Sequence, residues 1–165
     1  MRILGIDPGY GITGYAILDY YNNKYNLVVA GAIETEAFSE FNQRLVDIYN
    51  ELDKIIKEYK PQRMAIEDLF FNNNIKTGIK VAEARGIMLL AAKQNGLEIN
   101  EYTPLQVKQG VTGYGRATKT QVKKMTQSIL GIKKMPGLDD VNDSIAIAVC
   151  DANAGTTNSL LDKYL

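Results

Sequence analysis

The sequence contains no histidine and no tryptophan, and it has a single cysteine. The absence of histidine removes the side chain that most often serves as a general base or as a transition-metal ligand. Any hydrolytic chemistry must therefore come from carboxylates, lysines, hydroxyl groups or metal-bound water. Cys150 has no cysteine to pair with, and its position in an apolar helical run predicts a buried core thiol.

Long hydrophobic runs are also missing. The apolar stretches 87–92 and 145–150 are far too short to cross a bilayer, and the first residues lack the features of a signal peptide. With 45% hydrophobic and 23% charged residues, the composition is that of a folded domain. We expect one domain at residues 1–157, a frayed tail at 158–165, a cytoplasmic location and no membrane partner.

The formal net charge is zero, but the charges are unevenly placed. The segment from Thr103 to Leu138 has no acidic residue and seven basic ones, which are Lys108, Arg116, Lys119, Lys123, Lys124, Lys133 and Lys134. The segment from Glu34 to Glu58 carries seven acids against three bases. This asymmetry is compatible with a basic face that binds nucleic acid and equally with a solvated helix surface.

The hydrophobic pattern predicts a mixed α/β fold. Strands are expected at residues 2–7, 13–19, 25–35, 63–67 and 97–102. The first three strands are joined by short turns and form an antiparallel meander, whereas helices separate the later strands. The order therefore predicts a mixed five-stranded sheet, with crossover connections between the last three strands and helices on both faces.

Capping residues and breakers set the expected limits of the helices. Ser39 is predicted to cap the first helix, which Pro61 stops, and a second helix is expected at 75–95. Thr103-Pro104 begins a short helix and Thr118 caps one that ends at Leu130. The segment from Gly110 to Gly115 is expected to be a flexible loop, and the last helix to run from Asp139 to about Ala154.

Four carboxylates stand out by position. Asp7 ends the first strand in "GIDPGYGITGYA", and Glu67 ends the fourth strand. Asp140 and Asp143 open the last helix in "LDDVNDSIAIA", and residues three apart share one helix face. If the fourth strand lies beside the first, all four acids can meet at one crevice of the sheet.

Each acid also has a plain structural explanation. Asp139 or Asp140 can act as an N-cap, which we favour for Asp139, and Asp143 can be a solvated acid. Glu67 can pair with Arg63 or a lysine, and Asp7 can stabilise the Pro-Gly turn. The convergence of acids from three separate elements, two of them interrupting apolar stretches, favours a shared site.

Clustered carboxylates repel one another unless they share protons or bind cations. An oxygen-only ligand set without histidine or cysteine selects Mg²⁺ or Mn²⁺ over zinc. Two such ions held roughly 3.5–4 Å apart form the clamp that is used for in-line displacement at phosphorus. The pattern therefore predicts metal-dependent phosphodiester hydrolysis.

These residues resemble the RuvC family of Holliday junction resolvases, within the ribonuclease-H-like superfamily. The similar stretches run in order along nearly the whole chain, and they are "LGIDPGYGITGYA", "AIEDLFF", "VAEARGI", "YTPLQVKQGVTGYGRATKTQV" and "DDVNDSIAIA". The resemblance implies a ribonuclease-H-like fold and a homodimeric endonuclease of DNA recombination and repair. Such an enzyme cuts four-way junctions symmetrically, leaving 5′-phosphate and 3′-hydroxyl ends. It also implies Mg²⁺, two per active site with Mn²⁺ as a substitute, and a branch-migration helicase complex as a partner.

The resemblance also assigns residues. The catalytic, metal-binding tetrad of the family falls on Asp7, Glu67, Asp140 and Asp143. The family's base-stacking phenylalanine falls on Phe70, and its two functional lysines fall on Lys108 and Lys119. Arg116, in the glycine-rich segment, is a further candidate for DNA contact. Tyr10 departs from the family pattern, in which a small polar residue usually follows Pro-Gly.

Three other functions remain open. A "GID-x-G" strand and turn also begins the actin-like sugar and acetate kinases, but those need a second such domain and a second phosphate hairpin. A module that binds junctions or RNA without cutting them would not need an acidic cluster. A related nuclease with another nucleic-acid substrate is excluded only by the motif set.

The helix at 75–95 carries a stripe that favours a dimer interface. It comprises Ile79, Ala82, Gly86, Leu90 and Lys93. Small residues allow two helices to approach closely, and a two-fold dimer suits a substrate with two equivalent strands.

Overall fold

The computed structural model of the chain describes residues 1–69 and 75–161. The five strands are β1 (Arg2–Asp7), β2 (Ile12–Tyr21), β3 (Lys24–Glu34), β4 (Arg63–Glu67) and β5 (Glu98–Tyr102). The five helices are α1 (Phe41–Tyr59), α2 (Ile75–Gln94), α3 (Pro104–Thr112), α4 (Lys119–Leu130) and α5 (Asp139–Leu161). Within the described residues no helix is both long and apolar enough to span a membrane.

The strands form one mixed sheet in the order β3-β2-β1-β4-β5. The pairs β1–β2 and β2–β3 are antiparallel, whereas β1–β4 and β4–β5 are parallel. Asn22 and Asn23 both have positive φ in the β2–β3 turn, as a tight hairpin requires. The predicted meander, the crossover connections and the neighbouring positions of β1 and β4 are confirmed.

Alternate residues of each strand face different helical layers. Leu4 and Ile6 of β1 join the core that includes α1 and α2, whereas Ile3 joins the core that includes α3, α4 and α5. In β4, Ile66 faces the α1 and α2 layer and Ala65 faces the opposite one. Because side chains alternate along a strand, the residues that end β1 and β4 turn toward the α5 side.

Helix α5 lies unusually close to the sheet because two facing residues are glycine. A Cβ atom on Gly5 of β1 would fall 2.2 Å from the carbonyl oxygen of Ser144. A Cβ atom on Gly14 of β2 would fall 2.0 Å from the carbonyl oxygen of Asp140. Backbone therefore packs against backbone at the beginning of α5.

Three predicted boundaries are wrong. The N-cap of α1 is Glu40 rather than Ser39, because a turn occupies residues 37–39. Gly110 lies inside α3 rather than in a flexible loop, since Cys150 Sγ fills the space where its Cβ would be. Helix α5 continues past Ala154 to Leu161. Thr103 and Thr118 cap α3 and α4 as predicted, each within a capping box, and Cys150 is buried as expected.

A buried ion pair fastens α5 to the parallel half of the sheet. The fully buried carboxylate of Asp151 accepts hydrogen bonds from Asn100 Nδ2 at 2.7 Å and from the Tyr102 hydroxyl at 2.8 Å. Arg63 Nη1 lies 3.4 Å from the same carboxylate, and Arg63 Nη2 pairs with the exposed Glu98 at 3.0 Å. One arginine thus has a buried acidic partner and an exposed one.

These two partners provide a test of the packing. We expect Asp151→Ala to lower the free energy of unfolding by about 3 kcal/mol, because it leaves the Arg63 cation and two donors without their buried acceptor. Glu98→Ala, which removes the exposed partner, should cost less than about 1 kcal/mol. Urea denaturation of both variants measures the difference, and equal losses would contradict the assigned role of Asp151.

Candidate active site

The first two acids end neighbouring parallel strands. Asp7 ends β1 and is paired in register with Gly14 of β2, the residue that contacts the backbone of Asp140. Glu67 ends β4, next to β1 in the sheet. The side-chain alternation turns both carboxylates toward α5, and both are half-buried.

A half-buried arginine of α2, Arg85, holds the end of β4. Arg85 Nε donates a hydrogen bond of 3.0 Å to the carbonyl oxygen of Glu67. Its Nη2 atom pairs with Glu101 of β5 and lies 3.7 Å from Asp68. Arg63, which the sequence offered as a partner for Glu67, pairs with Asp151 and Glu98 instead. The sequence did not single out Arg85, although this arginine lies in the stretch "VAEARGI", which is one of those that resemble the family.

The other two acids lie at the beginning of α5. Asp139 is the first residue of the helix rather than its N-cap, and Asp140 follows it. Acidic residues in a first turn are stabilised by the positive end of the helix dipole. Lys119 Nζ, from the first turn of α4, lies 2.9 Å from Asp143 Oδ2 and 3.6 Å from Asp139 Oδ2.

The four acids of the predicted tetrad share one electrostatic environment. Burial raises the pKa of Asp7 to about 8, the negative charges of Glu67, Asp143 and Asp140 add to the rise, and Lys119 opposes it. Burial also raises the pKa of Glu67, with a further contribution from Asp143, whereas Lys119 and Lys108 lower it. The structure thus brings the acids from β1, β4 and α5 together.

The carboxylates do not form a complete set of ligands for a metal ion. Across residues 1–69 and 75–161, no three Asp, Glu or Cys side chains lie close enough together to hold one ion. Their oxygen-only donor set is nevertheless the one that Mg²⁺ and Mn²⁺ prefer, and the raised pKa of Asp7 reflects negative charge that a cation would offset. The assignment of the four acids as metal ligands stays a prediction.

Two lysines lie beside the acids. A cavity of about 230 Å³ is lined by Glu67 and Asp143 together with Lys108 of α3 and Lys119 of α4. Apolar side chains, including Val107 and Ile147, form its remaining wall. The lysines selected from the sequence therefore lie where a phosphate that reached the carboxylates would meet them.

The remaining candidates lie elsewhere. Arg116 is exposed in the turn between α3 and α4. Phe70 lies outside the described residues. Tyr10, in the turn that follows Asp7, contacts Phe41, Arg44 and Lys80, none of which the sequence singled out.

The fold and the site define a class of protein. A mixed sheet in this strand order, with acids ending β1 and β4 and others opening a helix packed on the same face, is that of a ribonuclease-H-like domain.

Comparisons with known proteins name the family. The sequence model described as "Crossover junction endodeoxyribonuclease RuvC" matches residues 3–151. A protein of that name from Ruminiclostridium cellulolyticum is 48% identical over 161 residues, covering 98% of this chain and 97% of its own length. The chain therefore belongs to the RuvC family of crossover junction endodeoxyribonucleases.

Solved structures agree with this assignment. Thermus thermophilus RuvC matches with a TM-score of 0.90 and 29% identity, covering 96% of this chain and 97% of that one. RuvC of the same organism in complex with a Holliday junction substrate matches with a TM-score of 0.87 and 27% identity, covering 95% and 96%. Nucleases of this family are metal-dependent.

The raised pKa of Asp7 predicts how stability depends on pH. Its carboxyl group keeps a proton in the folded state up to about pH 8 but loses it near 3.8 when unfolded, so stability falls as pH rises between these values. Asparagine cannot ionise. In chelator, we therefore expect Asp7→Asn to melt above the parent protein at pH 8, by about 4 °C or more, and the gap to shrink toward pH 5.

A second acid supplies the control for this measurement. Asp19 has a lowered pKa because its carboxylate accepts a hydrogen bond from Arg2, so the stability it contributes is lost only below about pH 3.8, and Asp19→Asn should melt below the parent protein by a nearly constant amount from pH 5 to 8. Both variants remove one carboxylate, yet only the difference between Asp7→Asn and the parent protein should change over this pH range. Scanning fluorimetry at pH 5, 6.5 and 8 measures the melting temperatures. A difference between Asp7→Asn and the parent protein that did not change with pH would contradict the raised pKa of Asp7.

Proposed function

We propose that this chain is a structure-selective endonuclease that resolves four-way DNA junctions by hydrolysing phosphodiester bonds. The observation that carries the proposal is the meeting of Asp7, Glu67, Asp140 and Asp143 in one electrostatic site on a sheet of the RuvC family. Residues 1–157 would act as one nuclease domain. Symmetric cuts that leave 5′-phosphate and 3′-hydroxyl ends would give nicks that a ligase can seal.

The four carboxylates would hold the divalent cations, which we propose to be two Mg²⁺ ions per site with Mn²⁺ as a substitute. Bound there, divalent cations supply Lewis acidity toward the attacking water and the leaving oxygen. Arg85 fixes the backbone of Glu67, and the glycine contacts of α5 fix the backbone of Asp140, so the oxygen donors are held before substrate arrives. The site is thereby preorganised for charge that develops at the phosphate.

The lysines of α3 and α4 would act on the DNA strand. Lys119 Nζ is bound to Asp143 and lines the same cavity as Lys108 and Glu67. An ammonium group here can offset the charge of the scissile phosphate, and the repulsion between phosphate and carboxylates is reduced. We propose Arg116 as an outer phosphate contact and Phe70 as a side chain that stacks on a base near the junction centre.

The decisive experiment compares substrates and cations. End-labelled four-way junction and linear duplex of the same sequence are incubated with Mg²⁺ and with chelator, and only the junction with Mg²⁺ should be cut. Asp7→Asn should reduce cutting by about a hundredfold to a thousandfold, the loss expected when one group that stabilises the transition state is removed, while junction binding is kept. Full Mg²⁺-dependent cutting by Asp7→Asn would rule out the proposed role of the carboxylates.

We further infer that the enzyme acts as a homodimer through α2. Ile75, Ile79 and Leu90 are exposed on this helix, and a Cβ atom on Gly86 would have no neighbour within 4 Å. Ile75, Ile79, Gly86 and Leu90 are four or seven positions apart and so share one helix face, which suits close packing against the same helix of a second copy. The family resemblance also implies a branch-migration helicase complex as a partner.

The dimer proposal is tested by charge insertion. Leu90→Glu should shift the protein from dimer to monomer in sedimentation velocity at low micromolar concentration, because it buries a charge at the proposed interface. Val46→Glu is the control, since Val46 on α1 is equally exposed, at 49% for each side chain, and lies off the interface. A parent protein that is monomeric, yet cuts both strands together, would contradict the dimer.

A further inference from the structure

Two cations gather around a pair of aromatic rings beside the site. Tyr10, in the turn between β1 and β2, packs edge to face against Phe41, the first residue of α1, with ring centroids 5.8 Å apart. Lys80 Nζ of α2 lies 5.7 Å from the Tyr10 centroid and 5.3 Å from the Phe41 centroid. Arg44 Cζ of α1 lies 4.9 Å from the Tyr10 centroid. We call these four residues the Tyr10 cluster.

Hydrogen bonds fix the cluster to the turn. Arg44 Nε donates to Thr35 Oγ1 at 2.7 Å, and Thr35 Oγ1 donates to the carbonyl oxygen of Tyr10 at 2.6 Å. The Nη2 atom of Arg44 lies beside Gly11, where a Cβ atom would be only 3.3 Å away. The guanidinium group is therefore oriented by the turn, with its outer nitrogens next to the bare backbone of Gly11.

The two cations have no carboxylate partner among the described residues, whereas three other cations of the same two helices do. On α1, Lys54 pairs with Glu51 and Lys57 pairs with Asp53. On α2, Arg85 pairs with Glu101. Arg44 belongs to a segment with seven acids and three bases, so its lack of an acidic partner is not explained by a shortage of acids.

The Tyr10 cluster lies close to Asp7 in sequence, but it belongs to the α1 and α2 side of the sheet. Tyr10 follows Asp7 by three residues, which can span at most about 10 Å. Tyr10 packs against the core of α1 and α2, whereas Lys108 and Lys119 belong to the α5 side of the sheet. Neither Arg44 nor Lys80 is among the charges that shift the pKa of Asp7. Arg44 and Lys80 are thus a separate group of cations from the two lysines that face the carboxylates.

We propose that Arg44 and Lys80 bind a backbone phosphate of the DNA strand that is cut, within a few nucleotides of the scissile bond and on the α1 side. An aromatic ring holds a cation without neutralising it, so the outward donors of both groups stay free for a phosphodiester. The strand would then be gripped on both sides of the carboxylates. This inference rests on the proposed function, since it assumes DNA as the substrate.

Binding measured in chelator tests the proposal without cutting. Lys80→Gln should weaken four-way junction binding about fivefold at physiological salt and lower the slope of log Kd against log salt by about one. Lys80→Arg should restore both values, because the charge returns. Lys57→Gln is the matched control, since it also removes one exposed cation from this layer, and it should change neither value. Arg44→Gln serves as a second variant, accepted only if its melting temperature is unchanged.

A chemical substitution in the DNA locates the contact. One methylphosphonate at a time is placed along the cut strand, which removes one phosphate charge. At one position within a few nucleotides of the cut, the substitution should weaken binding by the parent protein and have no further effect on Lys80→Gln. Two results would overturn the inference. One is an unchanged affinity and salt slope for Lys80→Gln. The other is that each methylphosphonate weakens binding equally in the parent protein and in Lys80→Gln. Cutting of junctions by the parent protein tests the proposed function separately. If the parent protein cuts junctions, a negative result for Lys80→Gln overturns only the phosphate contact. If the parent protein does not cut junctions, the proposed function itself is wrong.

Discussion

The close contact of α5 with two glycines of the sheet is the constraint on which the site depends. Gly5 and Gly14 leave room for the carbonyl oxygens of Ser144 and Asp140, at positions where any Cβ would collide. Asp140 and Asp143 lie on this same stretch of helix. The separation between the acids of the sheet and those of α5 is therefore set by backbone contact, which side-chain motion changes little.

This contact has an electrostatic cost. It places four acids in one environment, where burial and mutual repulsion raise the pKa of Asp7 and of Glu67. Two features offset the cost in part: the ammonium group of Lys119 beside Asp143, and the helix dipole at the beginning of α5. On the proposed function, divalent cations would offset the remaining negative charge, and a chain without histidine would hydrolyse phosphodiesters in that way.

Local patterns predicted most of the fold, and long-range packing explains what they missed. The strands, the hairpin asparagines and the capping boxes at Thr103 and Thr118 depend on neighbours in sequence. Gly110 looked like part of a loop because nothing local reveals Cys150, forty residues later, in the place of its Cβ. Spacing predicted which acids meet. The partners of Arg85 and the cations around Tyr10 come from separate elements, so only the tertiary structure identifies them.

Helix α5 is anchored at two points, by the glycine contacts near its start and by the network of Asp151 eight residues beyond Asp143. Because the helix is held at two points, we expect it not to move to accommodate a misplaced DNA strand. The deformation that brings a phosphate to the carboxylates must then occur in the DNA, and its energy cost depends on the structure of the DNA. A branched molecule with mobile arms can meet that demand more cheaply than a continuous duplex, so mechanical stiffness in the protein can itself act as a filter for DNA shape.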